Sequence, residues 1–463
     1  MTTSTEVTIP EHIFKAYDIR GLVKGELSEE LAYRLGRAFI IFLRSQATDL
    51  TGKKIVVGHD MRPTSVPFQA AVIRGMIDEG IDVVDIGLTS TPLFNFACAH
   101  YPEHAGGIMV TASHNPAEYN GFKMTLGNGM PIGKESGMSE IKRLVVTREK
   151  MDIAHTPGSV VQKQILTDYM QRIFSLVPKE SISPMKIVID YGNGMGSVSV
   201  PEVLKELPVT VVSLYETPDG TFPNHEANPL KVETLTALQA KVREEKADFG
   251  FALDGDADRI GLVDERGDVV DPSIVGALLG LEVLRTHKTG HMLYDLRSSR
   301  IVKDTWEKAG ATTGMCRVGH ALIKKQMKET STLFASELSL HLYYHDMYDV
   351  ESNDLSLVYV LHMLSREKKP LSQLVDALKV YAHSGEINFE VEDKEGAMKR
   401  VEDAYRTSAK EISHLDGIWM SFDWGWLNVR PSNTEPILRL NLETKTKEET
   451  ERRVEEVKKL LIA

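Results

Sequence analysis

Three successive α/β units followed by an α+β unit are predicted for this chain, and three observations predict them. A β-type run leading into a helical pattern occurs three times. Each of these units then delivers a further strand that ends in a polar loop. Beyond about residue 382 the texture changes to alternating strands and a charged terminal helix.

The first unit opens with Lys54 to Val57 and a polar turn. An apolar helical pattern follows (Phe68, Ala71, Val72, Met76), then a strand over Asp82 to Ile86. The second repeats this with Lys186 to Ile189, a helix near Val200 to Glu206 and a strand over Thr210 to Leu214. The third has His291 to Tyr294, a helix around Ile301 to Lys308 and a strand over Thr312 to Arg317. Three polar loops then follow strands: TASHNP after Gly107 to Val110, DGDADR after Phe249 to Leu253, and SELSLH after Leu333-Phe334. Open α/β sheets place their ligands just past strand ends, so these loops are the candidate site. The last unit carries strands over Ile387 to Val391, Ile418 to Phe422 and Ile437 to Leu442, and a helix from Lys447 onward. The predicted domains are 1–157, 158–263, 264–382 and 383–463, with no Gly/Ser-rich or Pro-rich tether between them.

With 463 residues, 42 % apolar and 26 % charged, the chain can bury the cores of two to four compact units. Its 54 basic and 66 acidic residues give a formal charge of −12, which argues against a general nucleic-acid or anionic-membrane surface. Any anionic ligand has to be held locally. Cys98 and Cys316, the only cysteines, support neither a disulfide framework nor a cysteine-rich zinc site. The first residues lack a basic and then apolar signal pattern, and no run of about 18 apolar residues occurs. A cytoplasmic protein is expected.

In Asp254-Gly255-Asp256-Ala257-Asp258-Arg259 the carboxylates recur every second residue, so an extended loop aims all three to one side. A cation offsets their repulsion, and three oxygen donors suit Mg²⁺ or Ca²⁺ better than zinc. The stretch also resembles the start of an EF-hand, with Glu265 at the twelfth position. Arg259 at the sixth, where that loop needs Gly, and the strand-like Ile260 to Val263 argue against it. Ser113 in TASHNP emerges from an apolar strand onto a loop, where a hydroxyl can carry a phosphoryl group. His114 and Lys123 are placed to handle protons or charge. Taken alone, a serine in an Asn-Pro turn reads more readily as an ordinary turn residue; beside a metal-binding triad it reads as a phosphoryl carrier. No G-x-S-x-G elbow surrounds Ser113 and no G-x-x-x-x-G-K-[ST] loop occurs, which disfavours hydrolysis by a triad and ATP as donor. Arg430-Pro431-Ser432-Asn433-Thr434 suits a phosphate, or is an ordinary polar turn. Glu337 and Ser339 offer acceptors at alternate positions for two sugar hydroxyls, or form a half-buried strand end. Gly319, His320 and His341 are ambiguous by themselves.

In this order the segments FKAYDIRG from Phe14, TASHNP, DGDADR, VGH from Val318, ELS from Glu337 and RPSNTEP from Arg430 resemble the α-D-phosphohexomutase family, in particular its bacterial phosphomannomutase/phosphoglucomutase group. The resemblance covers nearly the whole chain. It implies four domains around a central cleft and reversible conversion of hexose 6-phosphate to hexose 1-phosphate, for mannose, glucose or both. Ser113 would be the phosphoserine, and Mg²⁺ would be held by Asp254, Asp256, Asp258 and a phosphoserine oxygen. Arg259, His114 and Lys123 would surround the transferring group, with Lys123 or His114 as general acid/base. Tyr17 and Arg20 would orient the substrate. Arg430, Ser432, Asn433 and Thr434 would hold the non-reacting phosphate, Glu337 and Ser339 the sugar, and Gly319, His320 and His341 would complete the substrate site. The intermediate and activator would be a hexose 1,6-bisphosphate such as glucose 1,6-bisphosphate. The partners implied are phosphosugars, without nucleic acid or membrane, for a monomer or weak homodimer.

Three positions depart from the family pattern. Ser336 stands where a Gly usually precedes the sugar-binding Glu, Leu340 where a Gly separates Ser from His, and Arg297 where the third domain commonly has Lys. They bear on substrate preference more than on reaction type. The alternatives are a phosphoglucosamine mutase, a sugar phosphatase and a non-catalytic sugar-phosphate-binding scaffold.

Overall fold

The computed structural model describes residues 9–46, 48–147, 154–432 and 437–462. Two compact units divide the chain: one runs to Val269 and adds His341–Leu371, and the other comprises Val270–Leu340 and the residues from Ser372 onward.

The first unit is built on two sheets. One has strands β1 (Ile19–Leu22), β2 (Lys54–His59), β3 (Asp82–Leu88), β4 (His104–Val110), β5 (Tyr119–Leu126) and β6 (Val160–Gln162), in the order β1-β5-β4-β2-β3-β6. The other has β7 (Met185–Asp190), β8 (Val209–Leu214), β9 (Phe249–Leu253) and β10 (Ile260–Asp264), in the order β10-β9-β7-β8. In both, the first long strand lies between two parallel partners, and a strand beyond is antiparallel. The second unit starts the same way: β11 (His291–Asp295) pairs in parallel with β12 (Thr312–Cys316) and β13 (Thr332–Ser336). The repeat expected from the recurring strand–helix pattern is therefore a repeat of sheet topology.

A short hairpin, β14 (Leu342–Tyr344) with β15 (Val350–Glu351), and the helix Asn353–Glu367 belong to the first unit. The second unit closes with an antiparallel sheet of β16 (Ala382–His383), β17 (Ile387–Glu390), β18 (Glu411–Ser413), β19 (Ile418–Ser421), β20 (Gly425–Pro431) and β21 (Ile437–Thr444). Helices Lys394–Tyr405 and Lys447–Leu461 contribute Ala397, Val401, Val457 and Leu461 to its core. The sequence reading has no counterpart to β20. It lies between β19 and β21, and its residues 426–430 are all buried, so both faces are covered and the alternation that marks a half-buried strand is lost.

Local signals agree with these elements. Ser28, Ser90, Ser299, Ser352 and Thr446 each cap a helix by accepting a backbone N–H, and Asp271 does so ahead of Pro272 at the first helical position. Helices Glu29–Ser45 and Ser65–Asp78 touch backbone to backbone. A Cβ added at Gly36 would lie 2.2 Å from Val72 O, and one at Gly75 2.1 Å from Tyr33 O. Among the described residues no helix is long and apolar enough to cross a membrane.

At the end of β7, Asp190 accepts the Gly192 N–H at 2.9 Å and faces His225 Nε2 at 3.0 Å. Burial opposes the imidazolium, but Asp190 outweighs it, so the His225 pKa lies above 6.5. A pKa raised on folding stabilises the native state below the unfolded value and loses that contribution as pH rises through the folded one. His225→Gln should therefore lower the melting temperature most at pH 6, with the difference from the parent shrinking through neutral to mildly alkaline pH. Gly36→Ala should destabilise by about 1–3 kcal/mol by forcing the two helices apart, read by urea denaturation, while specific activity of the folded fraction is retained.

Candidate active site

Strand β4 is buried from Gly106 to Val110, and the chain leaves it through Thr111 and Ala112 to Ser113. Ser113 takes φ +53°, a left-handed conformation uncommon for a non-glycine residue, and its N–H donates to Thr111 Oγ1 at 3.0 Å. Its Oγ lies 3.2 Å from His114 Nδ1. The strain is held from beneath by Arg62, whose guanidinium donates to the carbonyls of Ser113 (3.0 Å), Asn115 (2.5 Å), Pro116 (2.7 Å) and Tyr119 (2.9 Å). Asp60 balances that buried charge, with Arg62 Nε 3.2 Å from its Oδ2. From β1, Arg20 donates to Asn115 Oδ1 at 2.7 Å and to Asp18 Oδ2 at 2.5 Å; Tyr17 lies on the segment leading into that strand.

The DGDADR loop joins β9 to β10, which pair as a hairpin. All three aspartates are buried, and one carboxylate oxygen of each lies within 4.8 Å of the others. Asp254 Oδ1 accepts the N–H groups of Asp258 (2.9 Å) and Arg259 (3.1 Å). Lys123, reaching in from β5, donates to Asp256 Oδ2 at 2.6 Å and Asp258 Oδ2 at 2.7 Å. Thr91 also donates to Asp256 Oδ2, and His341 Nε2 lies 3.1 Å from Asp258 Oδ1. Arg259 Nε is 3.9 Å from Asp254 Oδ2. The loop's left-handed residue, Ala257 at φ +63°, has its carbonyl bonded by Asn353 Nδ2 at 2.5 Å. Gly255 is where this loop meets the serine loop, since a Cβ there would lie 2.5 Å from Ser113 O.

Two buried oxygens, Asp254 Oδ2 and Asp256 Oδ1, have no hydrogen-bond partner among the described residues. An unsatisfied buried carboxylate oxygen is costly, and two in a cluster of three carboxylates fit a hard divalent cation. The titration directions agree. Burial and the charges of Asp258 and Asp256 push the Asp254 pKa well up. Burial pulls Asp258 the same way, but Lys123 and His341 outweigh it and hold its carboxyl well below the usual range. Lys123 stays an ammonium, because Asp256 and Asp258 outweigh its burial. Burial, then Arg259 and Arg20, depress the His114 pKa to about 2, so its imidazole is neutral.

In the second unit, Arg297 follows β11. It donates to Asp295 Oδ2 at 2.6 Å and Glu337 Oε1 at 3.3 Å, while Asp295 also accepts the Leu338 N–H at 2.8 Å. Glu337 lies one residue past β13 and accepts the Gly319 N–H at 3.3 Å. Gly319 has φ +121° and precedes the helix that His320 begins; Ser339 lies two residues past Glu337. Leu340 stands in the left-handed region at φ +69°, which is the physical reason a glycine suits that position. Ser336 has room because Gly276 faces it: a Cβ there would be 2.7 Å from Ser336 Oγ. Arg430 sits near the end of β20 rather than in a loop, and Ser432 just beyond closes on Ile437 through its N–H. Asn433 and Thr434 lie outside the described residues.

The sequence reading missed Arg62, Asp60, Thr91, Asn353, Asp295 and Glu386. For the first pair a signal exists. Asp60-Met-Arg62 and Asp295-Leu-Arg297 share a spacing past the first long strand of their units, and each aspartate accepts the N–H two residues on, at 3.0 and 2.7 Å. For Thr91, Asn353 and Glu386 no local pattern exists, because their partners are 165, 96 and 44 residues away.

Family models match almost the entire chain: the α/β/α domains I, II and III of phosphoglucomutase/phosphomannomutase over residues 11–151, 166–267 and 271–381, and the C-terminal domain over 386–460. The chain belongs to this family, the α-D-phosphohexomutases, in their bacterial group. It is 37 % identical over 440 residues to a phosphomannomutase of Vibrio cholerae, covering 93 % of this chain and 94 % of that one. It is 34 % identical over 455 residues to a phosphomannomutase/phosphoglucomutase of Pseudomonas aeruginosa, covering 98 % and 96 %. The crystal structure of a phosphoglucomutase/phosphomannomutase family protein from Burkholderia thailandensis superposes with a TM-score of 0.88 at 30 % identity, over 98 % of each chain. A member of this family is a phosphohexomutase, an intramolecular phosphotransferase.

Arg62→Ala should leave Asp60 buried without its counter-charge and free four carbonyls. The expected result is a kcat lower by at least about 10-fold, with divalent-cation affinity of the aspartate cluster within about 3-fold of the parent. Steady-state kinetics and calorimetric cation titration measure the two separately.

Proposed function

We propose that this phosphohexomutase transfers a phosphoryl group between Ser113 and mannose or glucose phosphates, with Mg²⁺ held by Asp254, Asp256 and Asp258. The observation that carries this reading is the contact of the serine loop with a carboxylate cluster in which two buried oxygens are unsatisfied. When bound there, Mg²⁺ supplies positive charge against the phosphoryl oxygens as the Ser113 Oγ–P bond breaks.

The chain's own residues have separable tasks. Lys123, bonded to Asp256 and Asp258, lies beside the carboxylates that would hold the metal and is one of the two candidates for general acid/base. His114 is the other. Besides burial, Arg259 and Arg20 keep its imidazole neutral, and a phosphoryl group beside them offsets those cations and makes the ring more basic. Its Nδ1 faces Ser113 Oγ, so it is placed to take the serine's proton when that hydroxyl attacks the bisphosphate and to return it when the Oγ–P bond of the phosphoserine breaks. Arg20, fixed between Asp18 and Asn115, and Tyr17 orient the substrate. Arg430, Ser432, Asn433 and Thr434 hold the phosphate that is not reacting, and Glu337 and Ser339 bind sugar hydroxyls, with Gly319, His320, Arg297 and His341 completing the set.

Transfer from phosphoserine gives a hexose 1,6-bisphosphate, which turns end for end and returns its other phosphate to Ser113. A phosphate anchor and hydroxyl contacts accept both orientations, because the features they read nearly exchange places when the sugar is flipped. We assign the domains to residues 1–157, 158–263, 264–382 and 383–463, and take the working form to be a monomer or weak homodimer in the cytoplasm.

Incubation with glucose 1,6-bisphosphate and Mg²⁺ should increase the intact mass by one phosphoryl group. Ser113→Ala should abolish the gain and lower kcat on the order of 10³-fold or more. Release of inorganic phosphate in step with substrate loss would indicate a phosphatase instead. Comparison of mannose 1-phosphate, glucose 1-phosphate and glucosamine 1-phosphate tests the hexose assignment, which a marked preference for the amino sugar would overturn.

A further inference from the structure

In the second unit one carboxylate meets three guanidinium groups. Glu386 Oε2 lies 2.7 Å from Arg430 Nη2 and 3.8 Å from Arg297 Nη1, and its Oε1 lies 2.9 Å from Arg439 Nη1. Arg430 and Arg439 are cross-strand partners on β20 and β21, so their side chains emerge side by side. Arg439 Nη2 also reaches Ser432 Oγ at 3.5 Å. Arg297 is already held by Asp295 and Glu337, so the charge of Glu386 falls chiefly on Arg430 and Arg439. Arg430 is buried, yet its Nε has no hydrogen-bond partner among the described residues, which leaves a donor for a second anion.

A carboxylate bridging two guanidinium groups through its two oxygens presents what two oxygens of a phosphate would present. We propose that Glu386 is an internal stand-in for the substrate's non-reacting phosphate: it occupies the Arg430–Arg439 pair in the resting enzyme, competes with the incoming phosphate, and so limits how tightly that phosphate is held. This rests on the mutase reading above, in which the bisphosphate must leave the Arg430 anchor once per turnover to present its other end. Affinity that is equal in every state of the cycle does not speed the chemistry, and in excess it delays that release. A two-arginine anchor without an internal anion would bind a phosphate dianion at the expense of turnover.

The competing account is that Glu386 only holds the arginines in place, and the two differ in sign. In a Ser113→Ala background, where no transfer occurs, calorimetric titration with inorganic phosphate and with glucose 1-phosphate reads the anchor directly. Glu386→Gln should bind inorganic phosphate about 10-fold more tightly than its parent, with a steeper dependence on salt. Glu386→Asp, which keeps the charge on a shorter stem, should stay within about 3-fold of the parent. With Ser113 intact, Glu386→Gln should lower KM and kcat together. Weaker or unchanged phosphate binding in Glu386→Gln overturns the proposal, as does a Glu386→Asp variant that loses affinity, since a scaffold role predicts that loss. The titrations need no turnover, so a failure of the mutase reading appears separately, as absence of transfer in the Ser113 enzyme.

Discussion

Bringing Asp254, Asp256 and Asp258 together in a buried cluster is the constraint on which the first unit depends. Carboxylates within 4.8 Å of one another and out of water repel strongly, so the fold must supply compensation from several directions. Lys123 crosses from β5 to Asp256 and Asp258, His341 also reaches Asp258, and backbone N–H groups of the loop satisfy one oxygen of Asp254. Thr91 and Asn353 then hold the loop's position through a carboxylate and a carbonyl. What remains is two oxygens without a hydrogen-bond partner among the described residues, and that uncompensated charge is what would allow the cluster to hold a metal ion.

The same logic runs through the other loops. Ser113 is held in a left-handed conformation by an arginine buried under it, and the arginine in turn is balanced by Asp60. Asp190 and Asp295 repeat the turn that Asp60 makes, each accepting the N–H two residues on, past the first long strand of its own repeat. One local solution for leaving a buried parallel strand has been used three times, and the side chains beyond it have diverged: Arg62 as a clamp, Gly192 as a tight bend, Arg297 as a partner of Glu337.

The second unit handles charge with the signs exchanged. Arg297, Arg430 and Arg439 are drawn together around Glu386, and without that carboxylate the three guanidinium groups would repel one another in a largely buried setting. Both units thus present a cluster of like charge that is incompletely offset from within.

Much of this was legible in the sequence because it is local. Strand-to-helix periodicity, repeated three times, exposed the α/β units, and the ordered motifs carried the family resemblance; the three aspartates do converge, but through a turn with Ala257 left-handed and not through the extended loop that their spacing predicts. Strand β20 escaped because residues 426–430 are buried on both faces and the exposure alternation of a half-buried strand is lost, which also made Arg430 look like a loop residue. Thr91, Asn353 and Glu386 escaped for a different reason. Each acts on a group 44 to 165 residues away, and no spacing in a single sequence encodes a partner at that distance. The sequence by itself determined the family motifs and the order of the repeats, since both are written in short-range pattern. Only the tertiary structure decided which buried charges compensate which, because that depends on strands and loops brought together across the chain.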